Sequence, residues 1–228
     1  MGQIFIISTP IGNLGDISLR AISCLKEVDI VFSENPATSK KLFLKYNINT
    51  SLRKYNQHSS QSLVKEILQF LQSDKKLALI SEAGTPGISD PGSMLVSQIR
   101  QASPETKIIP IPGASALSTL LSVSGLGVDR FLFLGFLPHK KGRQKLLKEI
   151  ASCKYSVLIY ESKHRFLKLL SELKEQGLAD REILVGREMT KLNESFYYNS
   201  VLALETYINN NPVETKGEFT VIIKKNHK

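Results

Sequence analysis

Residues Leu77 to Gly92, LALISEAGTPGISDPG, decide how the rest of the chain is read. The stretch opens on Leu77-Ala78-Leu79-Ile80, an uninterrupted apolar run of the kind a parallel strand buried on both faces uses. It then breaks into Gly84, Thr85, Pro86, Gly87, Ser89, Asp90, Pro91 and Gly92, a long loop restricted by glycine and proline. Asp90-Pro91 reads as a helix start, with Asp90 as N-cap and Pro91 in the first turn. Met94, Leu95, Val96 and Ile99 then carry the spacing of an amphipathic helix. Strand, tight loop and helix N-terminus in succession are what open α/β sheets place at their ligand-binding edge, beyond the carboxyl ends of the strands. Glycine lets a ligand approach the backbone, and proline holds the loop at little ordering cost.

Two further loops share this pattern. Gln3 to Ser8 reads as a strand and runs into Thr9-Pro10-Ile11-Gly12-Asn13-Leu14-Gly15; Lys107 to Pro110 reads as another and runs into Ile111-Pro112-Gly113-Ala114-Ser115-Ala116. Asp16 is the expected N-cap of a helix that turns Leu19, Ala21, Ile22 and Leu25 inward. Asp29 to Ser33 reads as a strand, and Thr38 to Tyr46 and Ser60 to Gln72 as helices. Strands alternating with helices predict a parallel α/β layer structure for the N-terminal half. Gly125 to Asp129 has the composition of a link, which predicts domains at 1–124 and 125–228. In the second, Arg130 to Leu137, Tyr155 to Tyr160, Glu182 to Gly186 and Glu218 to Lys224 read as strands, the last two antiparallel. Gly142 to Ala151, His164 to Glu175 and Val201 to Asn209 read as helices.

The 228 residues suffice for one large domain or two small ones, and a 42% hydrophobic content suffices for a core. A net charge of +9 points to an anionic partner. No apolar run reaches membrane-spanning length, and MGQIFIIS lacks the basic region and cleavage site of a signal peptide. Cys24 and Cys153 read as reduced core thiols of a cytosolic protein. His58, His139, His164 and His227 show no metal-ligand spacing, so no metal is expected. No P-loop, no GxGxxG after the first strand and no nucleophile elbow are present. Three loops at one sheet edge would instead line a pocket rich in backbone N–H and C=O groups, suited to a compact polar ligand.

STPIGNLGDISLRA, LISEAGTPGISDPG, IPIPGASAL, SGLGVDRFLFLGFLP, YESKHR, GREMTKLNE and KGEFTVII, in that order, resemble the tetrapyrrole-methylase-like (class III) S-adenosylmethionine methyltransferases. Within that superfamily they are similar to the ribosomal RNA small subunit methyltransferase I family. The resemblance spans nearly the whole chain. It implies two α/β domains of the tetrapyrrole methylase type with the active-site cleft between them, a homodimer, S-adenosyl-L-methionine as methyl donor, and 2′-O-methylation of a cytidine ribose in small-subunit (16S) rRNA in the cytoplasm. It places Pro10, Ile11, Gly12 and Asn13 in the first donor loop, and Gly84, Thr85, Pro86, Gly87, Ile88, Ser89, Asp90 and Pro91 in the central one. Pro112, Gly113, Ser115 and Ala116 match the third. Tyr160 and Glu161, with His164 and Arg165, match a YE-x-x-HR segment at the cleft; Arg187, Glu188, Thr190 and Lys191 match R-E-x-T-K. Gly217 and Glu218 match a KGE-F strand start bordering the adenine.

The sequence also departs from that pattern. Glu82 stands where the family has Asp. Ser33-Glu34-Asn35-Pro36-Ala37 replaces A-E-D-T-R, and Asn56-Gln57-His58-Ser59 replaces the more acidic H-E-H-N, so acceptor-side contacts are altered. Longer members continue beyond the last strand with a helical extension.

A ribose hydroxyl is a poor nucleophile, so a base or a charge stabilising the alkoxide is needed. Glu82, Asp90, Glu161, Arg187 and Lys191 are the candidates; Asp90 reads equally as a cap, Glu161 as an ion-pair partner of Arg165, and Arg187 and Lys191 as phosphate ligands or structural groups. His139, Lys140, Lys141 and Arg143, continued by Lys145 and Lys148, form an acid-free run read as an RNA-binding rim with His164 and Arg165. His58 and His139 are candidates for base stacking, whereas Phe131, Phe133 and Phe136 read as core. Two other functions remain open: methylation of a tetrapyrrole or other small acceptor on the same fold, and a non-catalytic RNA-binding module.

Overall fold

The structure, a computed structural model, describes residues 2–56, 59–127 and 129–225; His58 and His227 lie outside them. The chain divides into two compact units, Met1–Ser115 and Ala116–Lys228. The expected boundary at 124/125 follows a helix that the structure counts with the second unit.

The first unit holds five strands: β1 (Gln3–Ile7), β2 (Ile30–Ser33), β3 (Ser51–Lys54), β4 (Lys76–Ile80) and β5 (Lys107–Ile111). They pair in the order β3-β2-β4-β1-β5. Every pairing is parallel. Side chains alternate strictly along β4. Leu77 and Leu79 enter a core with Ile67, Leu71, Leu95 and Ile99. Ala78 and Ile80 enter a second core with Ala21, Leu25, Leu42 and Phe43. The covering helices are α1 (Leu19–Glu27) and α2 (Pro36–Lys45) on one face, and α3 (Gln61–Gln72) and α4 (Gly92–Ala102) on the other. Burial on both faces is why the strands read as apolar runs rather than as alternating ones.

The caps correct two sequence expectations. The Ser18 hydroxyl, not Asp16, caps α1 by accepting from the Ala21 amide; Asp16 ends a short 3-10 turn, and Leu19 is left 84% exposed. Helix α4 is capped by Pro91 without a side-chain hydrogen bond, one residue later than Asp90 would set it. β3, which no pattern in the sequence singled out, is a polar four-residue edge strand, SLRK.

The order in the sheet marks the ligand edge. From β1 the chain crosses through α1 to β2 on one side, and from the adjacent β4 it crosses through α4 to β5 on the other. The loops after β1 and β4 leave in opposite directions, over opposite faces, which opens a crevice at their carboxyl ends.

The second unit begins with α5 (Ala116–Ser122), followed by β6 (Phe131–Phe136), α6 (Arg143–Ser152), β7 (Ser156–Ser162), α7 (Phe166–Leu173), β8 (Glu182–Arg187), β9 (Ser195–Ser200), α8 (Val201–Asn210) and β10 (Glu218–Ile223). Its sheet runs β6-β7-β10-β8-β9. β6 and β7 are parallel, and β10 is antiparallel to both β7 and β8, as the pattern of the last strands predicts. β9, antiparallel to β8, was not expected. The core stacks Phe166 on Phe219, ring centroids 3.9 Å apart, among Leu169, Leu170, Val185 and Val221.

Candidate functional site

The three proline and glycine loops of the first unit hold one another at the carboxyl edge of its sheet. The amides and carbonyls of Thr9 and Gly84 exchange hydrogen bonds of 2.9 and 3.0 Å, which continues the β1–β4 contact past the strand ends as an antiparallel bridge. Ser8 and Thr85 hydroxyls lie 2.9 Å apart, and the Thr85 hydroxyl donates to the Ala114 carbonyl at 3.2 Å. The Ser81 hydroxyl donates to the Gly84 carbonyl at 3.0 Å. A Cβ on Gly113 would lie 3.0 Å from the Ser8 Cβ, so any larger residue would have to push the third loop away from the first by a few tenths of an ångström. The buried hydroxyls of Ser8, Thr9 and Ser81 are therefore structural ties, a role no spacing in the sequence announced.

Asp90 closes the central loop. Its Oδ1 accepts from the amides of both Gly87 and Gly92 at 2.7 Å. The side chain knots the turn that precedes α4 instead of capping the helix in the ordinary way. A Cβ on Gly92 would sit 2.8 Å from the Gly87 nitrogen and 2.9 Å from that same Oδ1. Within the knot, Ser89 holds a left-handed φ of 64°, a conformation a non-glycine residue keeps only when its surroundings impose it. Pro10, Ile11 and Pro86 are buried under the loops; Gly12, Ile88, Pro112 and Gly113 face outward.

The same edge is acidic. Glu34 follows β2, while Glu82 and Asp90 follow β4. Burial first, then the charges of Glu82 and Asp90, push the Glu34 carboxyl above its ordinary value. Among the described residues no lysine or arginine forms an ion pair with any of the three, in a chain of net charge +9. Glu34 was read in the sequence only as the surviving acid of an altered segment.

The remaining candidates lie in the second unit, where the structure uses several of them internally. Arg143 is 3% exposed, not part of an open rim. Its guanidinium pairs with Glu172 at 2.6 Å and with Glu161 at 3.5 Å. Glu161 is itself 1% exposed and pairs with Arg165 at 2.8 Å. Two acids and two arginines thus balance in a largely buried group, in which charge pairing holds Glu161 although its Oε2 makes no hydrogen bond of its own. This group also holds the basic loop: Arg165 donates to the Leu137 carbonyl at 2.8 Å and Arg143 to that of Pro138 at 3.3 Å. His139, Lys140 and Lys141, between these anchors, are exposed, as is His164.

Arg187 is 5% exposed, and its donors are spent on the carbonyls of Lys216, Asn193 and Val213 and on Glu214. That assigns it to holding the chain before β10 rather than to a phosphate. Lys191 bridges Glu188 and Glu218, both at 2.9 Å. Burial pushes the Glu188 carboxyl up, but Lys191 and the Glu218 amide outweigh it, and Glu188 lies below its ordinary value. Burial likewise pushes Lys191 down, and its two carboxylate partners outweigh that, leaving it raised. Gly217 packs against the Glu188 side chain, and Tyr160 sits edge-on to Phe133, centroids 5.1 Å apart.

A family profile described as Tetrapyrrole (Corrin/Porphyrin) Methylases matches residues 3–204. The chain belongs to the tetrapyrrole methylase family. Among members of this family, a protein named ribosomal RNA small subunit methyltransferase I in Synechocystis sp. is 40% identical over 98% of this chain and 79% of its own length. One of that name in Thermotoga maritima is 39% identical over 98% of each chain. Another in Leptospira biflexa is 42% identical over 100% of this chain and 92% of its own. Solved structures of the same fold include diphthine synthase, with a TM-score of 0.73 at 13% identity over 98% of this chain and 90% of that one. Uroporphyrin-III C-methyltransferase from Thermus thermophilus, complexed with S-adenosyl homocysteine, gives a TM-score of 0.67 at 14% identity over 97% of each chain. The family places this chain among methylases with two α/β units, as the alternation of strands and helices predicts. Among the described residues no group of His, Cys, Asp and Glu is arranged to hold a metal ion. No helix among them is long and apolar enough to cross a membrane.

Proposed function

We propose that the chain is an S-adenosyl-L-methionine-dependent methyltransferase that methylates the 2′-hydroxyl of a cytidine in small-subunit (16S) rRNA. The observation that carries the reading is the separation of charge by unit. The knotted edge of the first unit gathers Glu34, Glu82 and Asp90 without a counter-cation among the described residues, and the second unit presents His139, Lys140 and Lys141 on an anchored loop. An acidic edge fits a donor that carries a sulfonium and an ammonium group; a basic loop fits a phosphate backbone. The relatives near 40% identity are named for rRNA, whereas the solved neighbours share only 13 to 18% identity and so support the fold alone.

The residues that would hold the donor are Pro10, Ile11 and Gly12, the 84–90 loop with Asp90, and Pro112, Gly113, Ser115 and Ala116. When bound, the donor supplies an electrophilic methyl on a good leaving group. The chain's own work is positioning. The mutual hydrogen bonds of the three loops fix their carbonyls and amides before any ligand arrives, which lowers the ordering cost of binding and of alignment. The buried Arg143–Glu161–Arg165–Glu172 group serves as a positioning device for the basic loop. An rRNA substrate puts the enzyme in the bacterial cytoplasm. A homodimer is part of the same reading: the outer strands β6 and β9 leave Phe131, Leu132, Phe136, Phe196 and Tyr198 exposed at both edges of the second sheet, as a partner copy would require.

The test is transfer of labelled methyl from S-adenosylmethionine to undermethylated small ribosomal subunits and to free rRNA, with mass mapping of the product and light scattering for the oligomer. A ribose-methylated cytidine is the expected product. Donor binding by calorimetry without transfer to any small-subunit RNA would count against the reading, and transfer to a porphyrinoid precursor would replace the acceptor.

A further inference from the structure

The donor loops follow β4, β1 and β5; the polar groups they leave over follow β2 and β3. Glu34 is the first residue after β2 and Tyr55 the first after β3. Both line a cavity of about 10 Å³ with Ser81, Pro86 and Asp90. That volume admits one water or one hydroxyl group. Tyr55 is 4% exposed, and its phenol has no hydrogen-bond partner among the described residues; burial alone holds it above its ordinary value. The ring is buried while the hydroxyl, left without a protein partner, is not among the fully buried polar atoms, so it is open to a group that arrives from outside.

Glu34 is equally unpaired. Of the two basic side chains that end β3, Arg53 is committed to Glu66 at 2.8 Å and Lys54 is exposed to solvent. The groups that face Glu34 are acids, Glu82 and Asp90. Of the other carboxylates considered for catalysis, Asp90 is tied by two amides and Glu161 by two arginines, while Glu82 is exposed and does not line the cavity.

We propose that this cavity is the subsite for the acceptor hydroxyl, with Glu34 as the base and Tyr55 as the group that orients the hydroxyl toward it. The proposal rests on the methyltransferase reading above. In the step it describes, the ribose oxygen forms a bond to the methyl carbon while the carbon–sulfur bond breaks and its electron pair leaves on sulfur. The hydroxyl proton passes to a Glu34 carboxylate oxygen and from there to solvent. Burial beside two like charges suits Glu34 to the task, because a carboxylate that resists ionisation is a stronger base.

The test compares wild type, Glu34→Gln, Glu34→Asp and Tyr55→Phe. Glu34→Gln is expected to lower kcat on undermethylated small subunits about 100-fold or more, with KM for RNA within about twofold of wild type and calorimetric donor affinity down by no more than about tenfold, the effect of one acid lost from the edge that faces the cationic donor. Glu34→Asp recovers part of the rate, and Tyr55→Phe loses about tenfold. Thermal unfolding supplies a readout independent of turnover. Because the folded state holds Glu34 above its ordinary value, its charge opposes folding once pH exceeds that value. Glu34→Gln is therefore more heat-stable than wild type at neutral pH, and the gap closes as pH falls below the ordinary carboxylate range. A Glu34→Gln enzyme that turns over within threefold of wild type overturns the proposal, as does a variant whose donor affinity falls in step with its rate. A wild type that binds donor yet methylates no RNA defeats the function reading itself, and the two failures are told apart in the same assay.

Discussion

Glu161 and Arg143 show how much a residue's meaning depends on what surrounds it. In sequence Arg143 is one more cation in a run of six basic side chains, and Glu161 one acid beside an arginine four residues on. In the fold they join Arg165 and Glu172 in a dry, balanced group. Arginine suits such a place because its planar fork satisfies several acceptors at once. Removing one member leaves the others charged and buried, so Glu161→Gln is expected to destabilise by about 3 kcal/mol, read as a lower denaturant midpoint. Replacing exposed Lys140 with Gln leaves that midpoint unchanged. Glu188 gives the pH counterpart. Its folded-state value is depressed, so the stability it contributes is present above the ordinary carboxylate value and is lost as pH falls through the depressed one. Glu188→Gln flattens that acid-side loss, which a series of thermal melts from neutral to acid pH measures.

At the scale of elements, the knot between β4 and α4 is the most constrained piece of the molecule. Asp90 accepts two amides through one oxygen, and Gly92 leaves no room for a Cβ against the Gly87 nitrogen. Gly92→Ala must open the knot, and the two charge-assisted hydrogen bonds go with it. Donor affinity by calorimetry is expected to fall about tenfold to 100-fold with the secondary structure intact by circular dichroism. The loop, its glycines and its place after a buried strand were legible because local chemistry alone dictates them. The side chain that ties it was legible only to within one residue, since an N-cap and an Asx turn draw on the same Asp. β3 and β9 were not legible. SLRK and SFYYNS are edge strands, paired on one side and bathed on the other, so neither carries the apolar run that marked β4. Missing β3 also hid Tyr55: without that strand, nothing in the sequence puts its phenol in line with Glu34 at the sheet edge. Burial of Arg143 was hidden for a similar reason, because its partner Glu172 is 29 residues away in the chain.

For the whole molecule the relevant quantity is the distribution of charge rather than its sum. A net +9 spread evenly would attract any polyanion with little selectivity and would disfavour a donor that carries a sulfonium and an ammonium group. Here acids collect at the carboxyl edge of the first sheet, and three adjacent exposed basic side chains sit on a loop that two buried arginines hold in place. Salt dependence separates the two sites. Each phosphate contact to a single-stranded or looped RNA adds about 0.7 to the slope of log affinity against log salt. Lys140→Gln with Lys141→Gln should therefore shallow that slope by about 1.4 and weaken RNA binding at low salt, while donor affinity stays flat across the same series. Glu161→Gln, measured below its unfolding midpoint, releases the loop without removing either lysine. It is expected to keep the slope and lose affinity at every salt concentration, because the contacts persist but must now be ordered on binding. Fluorescence anisotropy with labelled rRNA fragments at four or five salt concentrations distinguishes a lost charge from a lost anchor. If the double lysine variant keeps the full slope, the phosphate contacts lie elsewhere on the basic surface.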